Sequence, residues 1–300
     1  MRYIITALLA STAPALAKVP VVVTDIPPIH ALVSQVMGDL GTPVLLLAKG
    51  ADEHDFALKP SQAGEVADAD LVVWIGHELT PWLESATENR LAGAPSLELL
   101  DAKGTLTLPY PEGEAPDEAA AEDGHDHGNT DPHAWLDPAN AKIWLGLIAT
   151  ELATLDPDNA ATYAANATTA AASIDTLDAE VTAILAPAQG KPLVMFHDAF
   201  TYYAAHYDLT IAGTIALGDA ASPGAKRLSD LRATLETGDV LCIFPEVQHD
   251  PALVAQMADG TGARIGGGLD PVGSSLDAGP GAYAALLKGM ALTIADCLDG

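Results

Sequence analysis

Basic residues are scarce in this chain of 300 residues, which has 13 Lys and Arg against 41 Asp and Glu and a formal net charge of −28. Nucleic-acid-binding proteins need a basic face that neutralises the phosphate backbone, so this balance excludes nucleic acid as a default partner. A negative surface attracts cations over a Debye length, about 8 Å at physiological salt. We assign most of the charge to solubility and regard cation attraction as its by-product.

Long apolar runs are also missing: beyond the N-terminus no uninterrupted stretch reaches the roughly 20 apolar residues that a membrane-spanning helix needs. The N-terminus has the pattern of an export signal, with Met1-Arg2, a short apolar run from Tyr3 to Ala10 and the small-x-small ending Ala15-Leu16-Ala17. We expect residues 1–17 to be a signal peptide that is cleaved after Ala17. The remaining chain is then expected to be soluble and outside the cytoplasm.

Cysteine is nearly absent as well, since the chain has only Cys242 and Cys297. An exported protein folds in an oxidising compartment, where disulfides form and persist. We therefore predict that these two cysteines pair with each other.

Short β-branched runs alternate with helical periodicity along most of the chain. This alternation predicts parallel, doubly wound sheets. Residues from Asn159 to about Leu185 contain no Pro or Gly and predict a helix of roughly 40 Å. We predict an α/β fold of two doubly wound α/β lobes joined by a long rigid helix. The predicted bounds are 18–138 for the N-terminal lobe, 139–188 for the helical region and 189–300 for the C-terminal lobe.

An acidic loop from about residue 112 to residue 130 interrupts the N-terminal lobe. Its His125 and His127 stand among Gly, Asp and Asn, which favour mobile loops. Alternating His and Asp side chains bind divalent cations loosely. We expect weak metal binding here, with a merely solvated loop as the alternative.

Four candidate metal ligands stand at corresponding places in the chain. His54 and His197 follow apolar strands, Asp270 follows the last strand, and His133 ends the acidic loop. Because the carboxyl ends of parallel strands face the ligand crevice, we expect all four in the cleft between the lobes. Three imidazoles and one carboxylate suit tetrahedral Zn²⁺.

Several separated motifs carry a resemblance to a known family. They are Gly50-Ala51-Asp52-Glu53-His54-Asp55-Phe56, Ala69-Asp70-Leu71-Val72-Val73-Trp74-Ile75-Gly76, Asp131-Pro132-His133-Ala134-Trp135-Leu136-Asp137-Pro138, Phe196-His197-Asp198-Ala199-Phe200 and Leu269-Asp270-Pro271. In this order they resemble the zinc-uptake substrate-binding proteins of ABC transporters. The match covers nearly the whole chain after the signal peptide.

The resemblance implies a periplasmic receptor that binds Zn²⁺ and hands it to a membrane permease with its ATPase. It implies His54, His133 and His197 as zinc ligands and a connecting helix that limits lobe closure. The fourth ligand is Asp270, Glu53 or water in similar proteins. We favour Asp270, because Glu53 next to His54 would have to bend the chain to share one ion. We expect a monomer, with a periplasmic zinc metallochaperone as a candidate donor.

Other functions remain as alternatives. Manganese receptors of the wider family carry a carboxylate where His197 stands, so this residue favours zinc over manganese or another divalent metal. A zinc-binding adhesin or buffering protein of the same fold stays open. We expect no enzyme, because no His-Glu-x-x-His helix or Ser/Cys nucleophile motif is present.

The remaining histidines are expected to have structural or solvent-exposed roles. They are His30, His77, His206 and His249. Glu78 and Glu246 are candidates for orienting an imidazole.

Overall fold

The computed structural model describes residues 18–54, 56–90, 94–110, 130–216 and 223–300. The predicted signal peptide and the loop histidines His125 and His127 lie outside the described residues. Among the residues that are described, no helix is long and apolar enough to cross a membrane.

The N-terminal lobe has a parallel four-stranded sheet in the order β2-β1-β3-β4. Each of the three α-helices among the described residues of this lobe has proline in the first turn, where the missing N–H has no helical partner and the fixed φ favours a helix start. The strands are β1 Val22–Thr24, β2 Val44–Leu45, β3 Leu71–Trp74 and β4 Ser96–Glu98, and the helices are α1 Pro27–Met37, α2 Pro60–Asp68 and α3 Pro81–Glu88.

The helical region follows, with α4 at Pro138–Leu155 and α5 at Ala160–Leu185. Helix α5 has 26 residues, so it is about 39 Å long at 1.5 Å per residue. It packs against α4 and α1. Its buried residues recur every three or four positions on one face: Tyr163, Ala167, Ala170, Ile174, Leu177, Val181 and Leu185.

The C-terminal lobe repeats the strand order of the first, with a parallel sheet in the order β6-β5-β7-β8. Its last helix, α9, packs against α5 and α1 and so joins this lobe to the rest of the molecule. The strands are β5 Pro192–Met195, β6 Thr210–Thr214, β7 Cys242–Ile243 and β8 Arg264–Ile265, and the helices are α6 Thr201–Tyr207, α7 Ala225–Glu236, α8 Ala252–Ala258 and α9 Ala282–Asp299.

One hydrophobic core runs through both lobes and the helical region. It includes Val73 from the first sheet, Ile174 from α5 and Leu193 from the second sheet, all buried. Smaller clusters cover the outer faces of the two sheets. Because protein interiors are close-packed, a core shared in this way resists large movements of one lobe against the other.

The predicted fold class is confirmed, with two parallel α/β lobes and a long helix between them. The predicted disulfide is also confirmed, since Cys242 at the start of β7 is bonded to Cys297 in α9 with a Cα–Cα distance of 6.3 Å. The bounds of the lobes at residues 138 and 188 stay a prediction.

Candidate metal centre

Three histidines from distant parts of the chain meet in the cleft between the lobes. The ligand nitrogens of His54, His133 and His197 all lie within 4.8 Å of one another. Their ring centroids are 5.6 Å apart for His54 and His133, 6.2 Å for His54 and His197, and 5.4 Å for His133 and His197. The predicted convergence of the three imidazoles is therefore present in the fold.

His133 is held by its own sequence neighbourhood. The Asp131 carboxylate accepts a hydrogen bond from the backbone N–H of His133 at 2.9 Å and contacts the ring Nδ1 at 2.7 Å. Pro132 between them fixes the backbone. The ring lies 5.2 Å from Trp135, centroid to centroid, at the start of a short 3₁₀ turn, Ala134–Leu136. Nε2 of His133 is buried and has no hydrogen-bond partner within the described part of the chain.

His197 is held by a partner from a neighbouring strand. It follows β5, and Glu246 follows β7, which pairs directly with β5. Nδ1 of His197 lies 2.6 and 2.7 Å from the two carboxylate oxygens of Glu246. Both side chains are buried, at 0% and 1% exposure. The expectation that Glu246 orients an imidazole is confirmed.

His54 comes from the loop after β2 and is half-buried. Its backbone N–H donates to the Asp52 carboxylate at 2.8 Å, which closes a local turn. The loop is fixed at both of its sides: the N–H of Gly50 donates across the cleft to the Ser274 carbonyl at 2.9 Å, and the indole N–H of Trp82 donates to the Glu53 carbonyl at 2.8 Å.

The two carboxylates considered for a fourth ligand have hydrogen-bond partners of their own. Glu53 is fully buried, and its Oε2 accepts a 3.4 Å hydrogen bond from Gln248 of the C-terminal lobe. Asp270 is half-buried, and its oxygens accept hydrogen bonds from the backbone N–H groups of Ser274 and Ser275, each at 2.9 Å. Asp270 therefore caps the turn that follows it.

The chemistry of this group matches a borderline-soft divalent ion. A carboxylate on Nδ1 fixes the ring orientation and the tautomer, makes Nε2 the coordinating nitrogen and raises its basicity. His133 and His197 each have such a partner. Three neutral imidazoles are donors that Zn²⁺ prefers in proteins.

The partner of His133 was not identified from the sequence. The signal was present, because an acidic residue two positions before a histidine is close enough to reach its ring in a tight turn, as Asp131 does. Gln248 was also missed, since it contacts Glu53 across 195 residues of sequence. Nothing in the local pattern indicates that contact.

The other histidines are engaged elsewhere. His30 contacts the Pro43 carbonyl at 3.2 Å, and His249 stacks on Phe196 with a centroid distance of 4.3 Å. His206 lies between Asp137 and Asp178, at 3.0 and 2.9 Å. These contacts agree with the structural roles that we expected. His77 lies beside Glu78 and Glu98 instead of the three-histidine group.

Comparison with known proteins places the chain in a family. The family model described as zinc-uptake complex component A, periplasmic, matches residues 22–297. The high-affinity zinc uptake system protein ZnuA of Paracoccus denitrificans (strain Pd 1222) is 47% identical over 95% of this chain and 94% of its own length. The protein of the same name from Brucella suis biovar 1 (strain 1330) is 35% identical over 93% of this chain and 91% of its own.

A solved structure agrees with these relatives. The crystal structure of a ZnuA deletion mutant with zinc bound has a TM-score of 0.74 and 28% identity, covering 93% of this chain and 98% of that one. The fold and the clustered histidines are those of a two-lobed metal-binding protein. The chain belongs to the family of periplasmic zinc-uptake components A, which confirms the resemblance that the motifs indicated.

Proposed function

We propose that this chain captures Zn²⁺ in the cleft between its lobes and delivers it to a membrane permease of the ABC type, which works with an ATPase. The observation that carries the proposal is the meeting of His54, His133 and His197. Family membership supports the same function, because the family model describes a periplasmic component of a zinc-uptake complex.

His54, His133 and His197 are the proposed zinc ligands, and all three come from one chain. A single copy therefore supplies the binding site, which supports the expectation of a monomer. The three nitrogens favour Zn²⁺ over the harder Mn²⁺, which prefers oxygen donors. The carboxylates of Asp131 and Glu246 hold two of the rings before the ion arrives, so little ordering is needed on binding.

Asp270 is the proposed fourth ligand, with Glu53 or water as the alternatives. Leu269 pairs with Glu246, the partner of His197, in a parallel β-bridge. On the other side, the Pro271 carbonyl accepts a 2.8 Å hydrogen bond from the indole of Trp135. The Asp270 turn is thus tied to the surroundings of both His197 and His133, which supports its assignment.

Substitution of each carboxylate separates the two candidates for the fourth position. We expect Asp270→Asn to weaken zinc binding at least about tenfold, and Glu53→Gln to change it by less than about threefold, as measured by competition with a chelator. The reverse ranking would assign the fourth position to Glu53. Equal, small effects would assign it to water.

The loop histidines His125 and His127 are proposed as a weak accessory site that collects zinc beside the cleft. Ordering a loop costs about 1–2 kcal/mol of backbone entropy per residue, which a few ligands offset only in part. Deleting residues 117–128 should remove one weak equivalent in a calorimetric titration and leave the tight one. Loss of the tight equivalent would mean that the loop supplies a primary ligand.

Alanine substitution of single histidines tests the proposed function. His54→Ala, His133→Ala and His197→Ala should each weaken zinc binding by roughly two orders of magnitude or more and reduce the rise in melting temperature that zinc produces. His206→Ala is the matched control, because this ring contacts Asp137 and Asp178 instead. Unchanged zinc affinity in His133→Ala would contradict the proposal.

A further inference from the structure

A second group of metal-ligating side chains lies in the N-terminal lobe, apart from the three histidines. The ligand atoms of His77, Glu78 and Glu98 all lie within 4.8 Å of one another. Nδ1 of His77 is 3.4 Å from Oε1 of Glu98 and 3.5 Å from Oε2 of Glu78. The side chains are 27%, 30% and 15% exposed for His77, Glu98 and Glu78, so an ion from solvent can reach them.

The parallel sheet brings these three residues together. Glu98 ends β4 and is paired in register with Trp74, the last residue of β3. The chain continues from Trp74 through Ile75 and Gly76 to His77 and Glu78 at the same edge of the sheet. The group therefore lies at the carboxyl edge of the neighbouring strands β3 and β4, and this is the edge at which open α/β sheets bind ligands.

Glycine at position 76 is what allows the two carboxylates to approach each other. Gly76 has a φ of +147°, and a Cβ there would lie 2.9 Å from both Oε2 of Glu78 and Oε1 of Glu98. Any other residue would push these oxygens away. The backbone therefore has a shape that lets two carboxylate oxygens converge on one point.

The convergence is unfavourable for an apo protein, because it brings negative charges together with partial loss of water. Oε2 of Glu78 is buried and accepts no hydrogen bond from the described residues. A bound divalent cation would neutralise both carboxylates and coordinate this oxygen.

We propose that His77, Glu78 and Glu98 form a second site for a divalent transition-metal cation, independent of the zinc site. The donors are one imidazole nitrogen and the oxygens of two carboxylates. Such a set binds Mn²⁺ as well as Zn²⁺. Partial exposure and a donor set with one imidazole make it weaker than the three-histidine site. It is therefore a site that fills after the cleft.

Manganese titration of the zinc-loaded protein tests the proposal. With one equivalent of Zn²⁺ in the cleft, the full chain should bind one Mn²⁺ at this site besides any ion held weakly by the loop histidines, counted by the loss of the free-ion electron paramagnetic resonance signal. Glu78→Gln/Glu98→Gln should weaken this binding at least about tenfold, since both charged ligands are removed. The control variant Glu65→Gln/Glu88→Gln removes the same charge from exposed positions of α2 and α3. Its Mn²⁺ affinity should stay within about twofold of that of the unsubstituted chain.

The retained zinc equivalent and the melting temperature show whether each variant is folded. His77→Ala provides a second variant, with one neutral side chain removed, and should also weaken Mn²⁺ binding at least about tenfold. Absence of a further Mn²⁺ equivalent in the unsubstituted chain, or equal binding by folded Glu78→Gln/Glu98→Gln, would overturn the proposal. Neither result would bear on the proposed zinc site, because the Zn²⁺ equivalent is counted separately from the Mn²⁺ equivalent.

Discussion

The two lobes have the same strand order, yet they use the same edge of the sheet differently. In the C-terminal lobe, His197 after β5 contacts Glu246 after β7, and both are buried at the cleft. In the N-terminal lobe, Asp25 stands directly after β1, and its Oδ2 accepts a 2.8 Å hydrogen bond from the backbone N–H of Ile75, directly after β3. One pair orients an imidazole, and the other clamps two strands.

The difference shows what topology decides and what it leaves to the side chains. The strand order places polar groups from the first and third strands together at the carboxyl edge. Asp25 is fully buried, and burial raises its pKa to about 7 although hydrogen bonds from Ile75 and Ile26 lower it. The N-terminal lobe therefore supplies the proposed metal ligands from outside this position, through the loop of His54 and the turn of His133.

Removal of the disulfide has the largest expected effect on the free energy of unfolding, and the bond belongs to the C-terminal lobe alone. It ties β7 to α9 in the C-terminal lobe. Closing a loop of about 56 residues is worth roughly 4 kcal/mol in the chain-entropy model. We expect Cys242→Ala/Cys297→Ala to lose a large part of this free energy of unfolding in urea, with zinc still bound at high affinity.

Thiol titration gives an independent check of the same bond. The unfolded, unreduced protein should have no reactive thiol. Two reactive thiols, or a loss below about 1 kcal/mol in the double variant, would show that the C-terminal lobe does not depend on this crosslink.

Neutralising Glu246 should weaken zinc binding, whereas neutralising Asp25 should not. Glu246→Gln removes the charge that holds His197, so we expect zinc affinity to fall about 10- to 100-fold. Asp25→Asn changes the corresponding position of the N-terminal lobe and should leave zinc affinity within about twofold, because no zinc ligand contacts it. Chelator competition measures both. Equal losses in the two variants would remove the proposed division of roles.

The pH dependence of stability gives the smallest of these effects. The pKa of Asp25 is raised from 3.8 to about 7 in the fold, so folding favours its protonated form. The stability that this group contributes is therefore greatest in acid and falls as the pH rises towards 7. Between about pH 4.5 and pH 7.5, the free energy of unfolding of the unsubstituted protein should fall by at least about 1 kcal/mol relative to that of Asp25→Asn, as measured by denaturant unfolding. A constant difference would contradict the buried carboxyl assignment.

Much of the fold was predictable because its signals are local. Apolar runs such as Leu71–Trp74 and Leu193–Met195 predict buried parallel strands, and the Pro-free segment before Leu185 predicts the long helix; the structure has all of these. The disulfide was also predictable, because an exported protein folds in an oxidising compartment and Cys297 is the only other cysteine that could pair with Cys242.

The residues of the site were predictable where their position after a strand or loop places them in the cleft. They were not predictable where they meet only through tertiary contacts. His54, His133 and His197 follow strands or end a loop, and the sheet edge brings them together. The contact of Glu53 with Gln248 depends on how the lobes pack. The second group at His77 was missed because its members, Glu78 and Glu98, meet only through strand register and the missing side chain of Gly76.

The most direct test of the account is zinc K-edge X-ray absorption of the protein loaded with one equivalent of Zn²⁺. The account predicts three imidazole nitrogens at about 2.0–2.1 Å with one oxygen, and a spectrum with one imidazole fewer in His54→Ala. Two or fewer imidazoles in the unsubstituted protein, or an unchanged spectrum in His54→Ala, would contradict the three-histidine site.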